Sequence, residues 1–281
     1  MTATMHIAFA ADRNYAEQII TLIKSICFFD KDIHFYLINK DFSEQWFYSL
    51  NLELNKINCY ITDIKVEQVN FSHLKTMQYV SEASYYRCLI PQLIPQDKVL
   101  YLDCDIIANG SLLSLYQQDL TNYLAAASPD FLINSGFFYH KFFPHIEQYF
   151  NAGVLLFNNK KWRETADIDQ RLENAILTYQ QSGSDLADQD ILNLVLQNQY
   201  FPLAKKYNYQ FGSSYYLIES NRLDIYDEIM NIGNQPPILI HYTGLAKPWT
   251  PICRNQYHAE QQYWKAYRLT WAEIIDHHIN K

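Results

Sequence analysis

Over the first hundred residues, short apolar runs alternate regularly with amphipathic stretches. His6 to Ala10, Ile33 to Ile38, Asn58 to Ile64 and Lys98 to Leu102 read as strands. Between them, Tyr15 to Phe28 carries Ile19, Ile20, Leu22, Ile23 and Ile26 at helical spacing, and Ser43 to Leu54 starts on a residue type that caps helices. A helix is expected around Ser84 to Leu93, terminating near Ile90 because Pro91 lacks a donor and restricts the residue before it. Strand–helix alternation on this scale predicts βαβ units and a mostly parallel sheet. Such sheets bind ligands beyond the carboxyl ends of their strands. Asp12 and Asp103 both fall there.

Asp103-Cys104-Asp105 follows the fourth run. Side chains alternate along a strand, so residues i and i+2 share a face, and these two carboxylates can converge on one divalent cation. Hard cations of this kind bind through one or two carboxylates plus substrate phosphates. A strand ending in a polar turn, with Asp105 merely solvated, accounts for the spacing equally well. No G-x-G-x-x-G follows the first strand and no G-x-x-x-x-G-K-[ST] occurs, which disfavours dinucleotide-binding and nucleotide-hydrolase readings.

The formal net charge is -8 and there is no basic block, which argues against a nucleic-acid partner. Apolar residues at 49% and charged residues at 19% describe an ordinary globular chain. Cys27, Cys59, Cys88, Cys104 and Cys253 are scattered and odd in number, which suggests a reducing compartment rather than a disulfide framework. With no basic-then-apolar leader and no run of eighteen apolar residues, the expectation is a cytosolic, soluble protein. The aromatic load, 23 Tyr, 16 Phe and 5 Trp, suits sugar faces and plain cores alike.

Beyond the fourth strand the pattern loosens. Asp130 to Tyr149 has no clean period and reads as a loop or lid, with the unusual run Phe137 to Phe143. Phe150 to Phe157 returns as a strand. A helix runs from Ala187 through Leu196, and Asp188-Gln189-Asp190 at its start can be there for the helix dipole alone. Pro237 to His241 is a last strand, followed by a Gly244 turn and Lys247-Pro248-Trp249. This offers an imidazole and a cation within seven residues. Asp12 can be a helix N-cap. Gln256 to Ile279 reads as a helical tail, so the expected division is a catalytic domain over 1–255 and a C-terminal helical region over 256–281.

Five segments in order closely resemble the glycosyltransferase family 8 enzymes, especially bacterial lipooligosaccharide α-galactosyltransferases and related lipopolysaccharide glucosyl- and galactosyltransferases. They are Phe9 to Tyr15, Lys98 to Asp105, Phe150 to Leu155, Asp188 to Asn193, and His241 to Trp249, and the resemblance spans roughly residues 5–255. It implies a GT-A fold, a Rossmann-like mixed and mostly parallel sheet flanked by helices. It also implies a manganese ion, with magnesium an alternative, a UDP-hexose donor, and retention of anomeric configuration.

By the same resemblance, Asp103, Asp105 and His241 are the metal ligands. Ala10, Asp12, Asn14 and Tyr15 form the uridine and ribose pocket, and Arg87 holds the donor. Asp188 binds donor-sugar hydroxyls, Gln189 lies next to the anomeric carbon, and Asp130 and Asn151 line the sugar or acceptor cleft. Gly244 and Lys247 contact the diphosphate. The partners implied are a UDP-sugar and a carbohydrate or glycolipid acceptor. Cys104 departs from the aliphatic residue common in the family and is expected to face away from the metal. The basic, aromatic C-terminal extension through which close relatives attach to membranes is largely absent, so the expectation is either weaker peripheral contact at the inner membrane face or a shortened chain. A non-catalytic nucleotide-sugar-binding scaffold is the alternative class, and the intact metal triad and Asp188-Gln189 pair speak against it.

Overall fold

The computed structural model describes residues 4–66, 82–137, 143–197, 199–251 and 257–280. Its centre is a seven-stranded sheet of β1 (Met5–Ala10), β2 (Ile33–Asn39), β3 (Tyr60–Lys65), β4 (Lys98–Leu102), β6 (Ala125–Pro129), β7 (Phe150–Asn158) and β8 (Tyr200–Pro202), in the order β3-β2-β1-β4-β7-β6-β8. A smaller sheet joins β5 (Ile106–Ala108), β10 (Leu239–His241) and β9 (Tyr209–Gln210). In the large sheet every pairing is parallel except those of β7, which runs antiparallel to both β4 and β6.

Both faces of this sheet are covered, so its central strands read as near-continuous apolar runs. Alternation splits them cleanly. Ala8, Tyr36, Ile38, Val99 and Tyr101 belong to one core, and Ile7, Phe9, Phe35, Leu37, Leu100 and Leu102 to the other. The helix Ala16–Phe29 lies on the second face and buries Ile19, Leu22, Ile23 and Ile26. Helix Glu44–Leu54 is capped by Ser43, whose side chain accepts from the Trp46 amide at 3.3 Å. Asn58 adopts a left-handed conformation (φ 55°), and the third strand therefore starts at Tyr60 rather than at Asn58.

Several expectations need correction. Residues Glu82–Leu89 form a 3-10 helix, and Pro91 does not end it. Pro91 instead sits in the first turn of a short α-helix, Ile90–Leu93, where a missing amide donor costs nothing. The tail is two helices, Tyr257–Arg268 and Trp271–Ile279, separated by a capping box in which Thr270 and Glu273 satisfy each other's backbone amides. Both pack on the first helix: Lys24 Nζ donates to the carbonyls of Tyr267 (2.6 Å) and Leu269 (2.7 Å), and His278 Nε2 lies 2.7 Å from the Cys27 carbonyl. The segment after Asp130 is not all loop, since Phe131–Asn134 is a helical turn capped by the Asp130 carboxylate (3.1 Å to the Ile133 amide). Residues 138–142 of the aromatic run, Cys253 and Gln256 lie outside the described residues. Cys27, Cys59, Cys88 and Cys104 are buried free thiols. Among the described residues no helix is long and apolar enough to cross a membrane.

Candidate active site

The carboxyl ends of β1 and β4 open into a cavity of about 970 Å³, within the range of small-ligand sites. Every site residue named from the sequence lines it: Ala10, Asp12, Asn14, Tyr15, Arg87, Asp103, Asp105, Asp130, Asn151, Asp188, Gln189, His241, Gly244 and Lys247. Asp12 also takes the capping role foreseen for it, accepting from the Asn14 amide at 2.9 Å, and this turn presents Asn14 and Tyr15 to the cavity.

Asp103, Asp105 and His241 converge, with one ligand atom from each lying within 4.8 Å of the others. Strand alternation is not the cause. β4 ends at Leu102, and the two aspartates occupy the turn that carries the chain from β4 into β5. β10 then pairs with β5, His241 opposite Ile106, and so delivers the imidazole. Cys104, which also lines the cavity, is not among the converging groups; its buried thiol lies 3.7 Å from the Ala10 carbonyl. Asp105 Oδ1 is buried and lacks a hydrogen bond, while His241 Nε2 stands 3.1 Å from it and 3.7 Å from Asp103 Oδ2. A bare carboxylate oxygen beside a second carboxylate and an imidazole fits a divalent cation of the manganese or magnesium type. Gly153 on β7 leaves room for this cluster: a Cβ there would stand 2.1 Å from His241 Cε1 and 2.8 Å from Asp103 Oδ2.

Two cations hold the carboxylates. Arg87 is buried, with Nη2 2.8 Å from Asp103 Oδ1, Nε 2.9 Å from Asp188 Oδ2, and Nη1 donating to the Ala152 carbonyl at 2.8 Å. Its guanidinium also lies 4.7 Å from the centre of the Tyr101 ring, whose hydroxyl donates to Asp103 Oδ1 at 2.6 Å. Lys247 Nζ pairs with Asp105 Oδ2 and donates to the Tyr242 carbonyl. Burial alone would raise the Asp105 carboxyl, but Lys247 and His241 outweigh it and hold the group well below the usual range. For Asp188 burial wins over Arg87 and, with Asp103 adding repulsion, pushes its carboxyl up to about 7. Burial also raises Asp130, against hydrogen bonds from the Ile133 amide, Asn151 and Gln189.

The β6–β7 register shifts between Ala127, opposite Leu155, and Ser128, opposite Asn151, so the amides of Ala152 and Gly153 fall within the irregularity. Side chains satisfy them. Ala152 N–H donates to Gln189 Oε1 at 3.0 Å and Gly153 N–H donates to Asn151 Oδ1 at 3.1 Å. Asp130 Oδ2 accepts from Gln189 Nε2 (3.3 Å) and Asn151 Nδ2 (3.4 Å), so the helix Ala187–Leu196 and the bulged strand are tied across the cavity floor. Ala187 takes φ +53°, a conformation costly for a residue with a Cβ, to bring Asp188 and Gln189 inward.

Two contributors escaped the sequence reading. Tyr101 lies two residues before Asp103, and the same i, i+2 rule would have placed it beneath that carboxylate. Asn208, buried between β9 and the 3-10 turn Lys205–Tyr207, meets His241 Nδ1 at 2.9 Å, and no local pattern announces it.

The model of glycosyl transferase family 8 matches residues 6–253. The chain belongs to glycosyltransferase family 8. It is similar to glycosyltransferase GlyD of Streptococcus pneumoniae serotype 4 (34% identical, 98% of this chain and 32% of that one). The crystal structure of glycosyltransferase GlyE from S. pneumoniae TIGR4 superposes with a TM-score of 0.77 at 29% identity, covering 99% of this chain and 64% of that chain. The galactosyltransferase LgtC, solved with donor and acceptor sugar analogues, superposes with a TM-score of 0.78 at 29% identity over 94% of this chain and 95% of its own. This family 8 chain therefore has the GT-A fold of LgtC and GlyE, while spanning about a third to two thirds of the pneumococcal relatives.

Proposed function

We propose that the chain transfers a hexose, galactose ahead of glucose, from a uridine diphosphate sugar to a hydroxyl of a surface glycan or glycolipid, with Mn²⁺ bound and with anomeric configuration retained. The observation that carries this reading is the convergence, in one cavity, of the Asp103–Asp105–His241 cluster, the cations Arg87 and Lys247, and the Asp188–Gln189 pair. Uridine is favoured by the resemblance around Asp12 to Tyr15, and galactose by the likeness to the galactosyltransferase LgtC. We take residues 1–255 as the catalytic unit and 256–281 as a helical tail. The reaction is placed in the cytoplasm, with peripheral contact at the inner membrane face where a lipid-linked acceptor would sit.

Asp103, Asp105 and His241 would hold the ion, which supplies Lewis-acid stabilisation of the departing diphosphate. Lys247 adds a positive charge on a loop that turns at Gly244, where φ is +71° and the Tyr216 hydroxyl packs close. Fixed charge of this kind acts most when the glycosidic bond is largely broken, and so favours the transition state over the bound donor. Asp188 reads sugar hydroxyls, and Gln189 is clamped at both ends of its amide beside the reacting carbon. In a front-face path the departing phosphate oxygen takes the acceptor's proton, so no protein base is required. A double displacement would ask Gln189, a poor nucleophile, to attack.

The test is a panel of nucleotide sugars with Mn²⁺, scored by nucleoside diphosphate release without acceptor. UDP-galactose is expected to turn over fastest. Turnover confined to guanosine or adenosine donors would overturn the uridine assignment, and a clear glucose preference would reverse the sugar ranking while leaving the cluster intact.

A further inference from the structure

The hydrogen-bond polarity around His241 is fixed from outside the metal cluster. Gly153 N–H is a backbone donor and nothing else, so the Asn151 atom that meets it at 3.1 Å is Oδ1. That same oxygen lies 3.0 Å from Asn208, which must therefore present its Nδ2 there. Asn208 Oδ1 is then the atom 2.9 Å from His241 Nδ1, and an amide oxygen only accepts. His241 Nδ1 must carry the proton. Its Nε2, 3.1 Å from Asp105 Oδ1, is thereby committed to the cluster. All the groups in this chain are buried, so no solvent molecule competes to reverse it.

We propose that Asn208 is a positioning residue, through which a single backbone amide at the β-bulge holds His241 with Nδ1 protonated and Nε2 free to ligate. The proposal rests on the metal-site reading above. It adds that the ligand's second nitrogen is locked by a neutral amide. Partners of this sort commonly alter metal affinity ten- to a hundredfold when removed.

Two substitutions separate positioning from packing. Asn208→Leu keeps the branched shape of the side chain and loses both hydrogen bonds. Asn208→Asp keeps an acceptor for Nδ1–H and gives up the donation to Asn151. Titration calorimetry with Mn²⁺ is expected to show about ten- to a hundredfold weaker binding for Asn208→Leu and a clearly smaller loss for Asn208→Asp, which keeps the acceptor for Nδ1–H but sets its second oxygen against Asn151 Oδ1, with melting temperatures recorded alongside. Nitrogen-15 NMR of the metal-free wild-type protein is expected to show a proton on His241 Nδ1. A bare Nδ1 in the wild type overturns the proposal without reference to any variant. Equal losses of affinity in both variants that track their melting temperatures also overturn it, by assigning Asn208 to packing. Wild-type protein that binds no Mn²⁺ sinks the metal reading instead, and the Nδ1 proton still decides the role of Asn208.

Discussion

Arg87 Nε lies 2.9 Å from Asp188 Oδ2, with both side chains buried, yet Asp188 remains hard to ionise. Burial is the larger effect: it outweighs the guanidinium, which also pairs with Asp103, and the Asp103 charge adds repulsion. In the folded chain Asp188 titrates near 7, against about 4 when unfolded. The folded state therefore binds the extra proton. The resulting stabilisation is full below about pH 4 and is lost as pH rises through 7. An Asp188→Asn variant cannot ionise, and its melting temperature is expected to exceed the wild type's by a margin that grows from pH 5 to pH 8. The limit is about 4 kcal/mol, at roughly 1.4 kcal/mol for each pH unit between the unfolded and folded values. Thermal unfolding at intervals across that range checks this, and a margin independent of pH would count against it.

Asp103→Asn and Asp105→Asn should each lower turnover by about two orders of magnitude or more, since each removes charge at the point where a leaving diphosphate must be neutralised. Mn²⁺ binding measured by calorimetry should fall in parallel. Asp105→Asn also deprives Lys247 of its carboxylate partner, so its loss of stability should be the larger of the two.

Lys247→Ala is expected to reduce kcat more than it weakens uridine diphosphate binding, because a charge aimed at the departing group matters most late in bond cleavage. Steady-state kinetics paired with direct binding of the nucleotide will separate the two. An equal effect on both would reassign Lys247 to ground-state binding.

Gly153→Ala tests the packing of the cluster. The added methyl meets His241 and Asp103 rather than solvent, so it must displace ligand atoms. Mn²⁺ affinity should fall by at least about tenfold, with far-ultraviolet circular dichroism still native. Unchanged affinity would mean that His241 has another rotamer from which to ligate.

Much of this was legible in the sequence, and the gaps have physical causes. β1, β2, β4 and β7 were visible because central strands covered on both faces must be apolar throughout. β6 was not, because Ala125-Ala126-Ala127 gives only a weak strand signal although it is fully buried. The Asp103–Asp105 pair was identified, but its convergence comes from a turn between two sheets rather than from pleat alternation. Pro91 reads as a stop in the sequence because its position in a helix, first turn or interior, cannot be told without the helix boundary. Asn208 could not be found at all: its role depends on an amide oxygen meeting an imidazole from another strand, and local periodicity says nothing about such a pair.

The route by which His241 reaches its partners sets when the site can exist during folding. β10 pairs with β5, joining the last described strand to one in the first half of the chain, whereas β1–β2 and β2–β3 join nearer neighbours and β1–β4 spans an intermediate separation. Pairings across such a separation carry the greater loop-closure entropy and form late. Asp103 and Asp105 are thus expected to be in place before the imidazole arrives. In refolding, secondary structure should recover first and Mn²⁺ capture last, which makes ion binding a gauge of completed topology rather than of local structure.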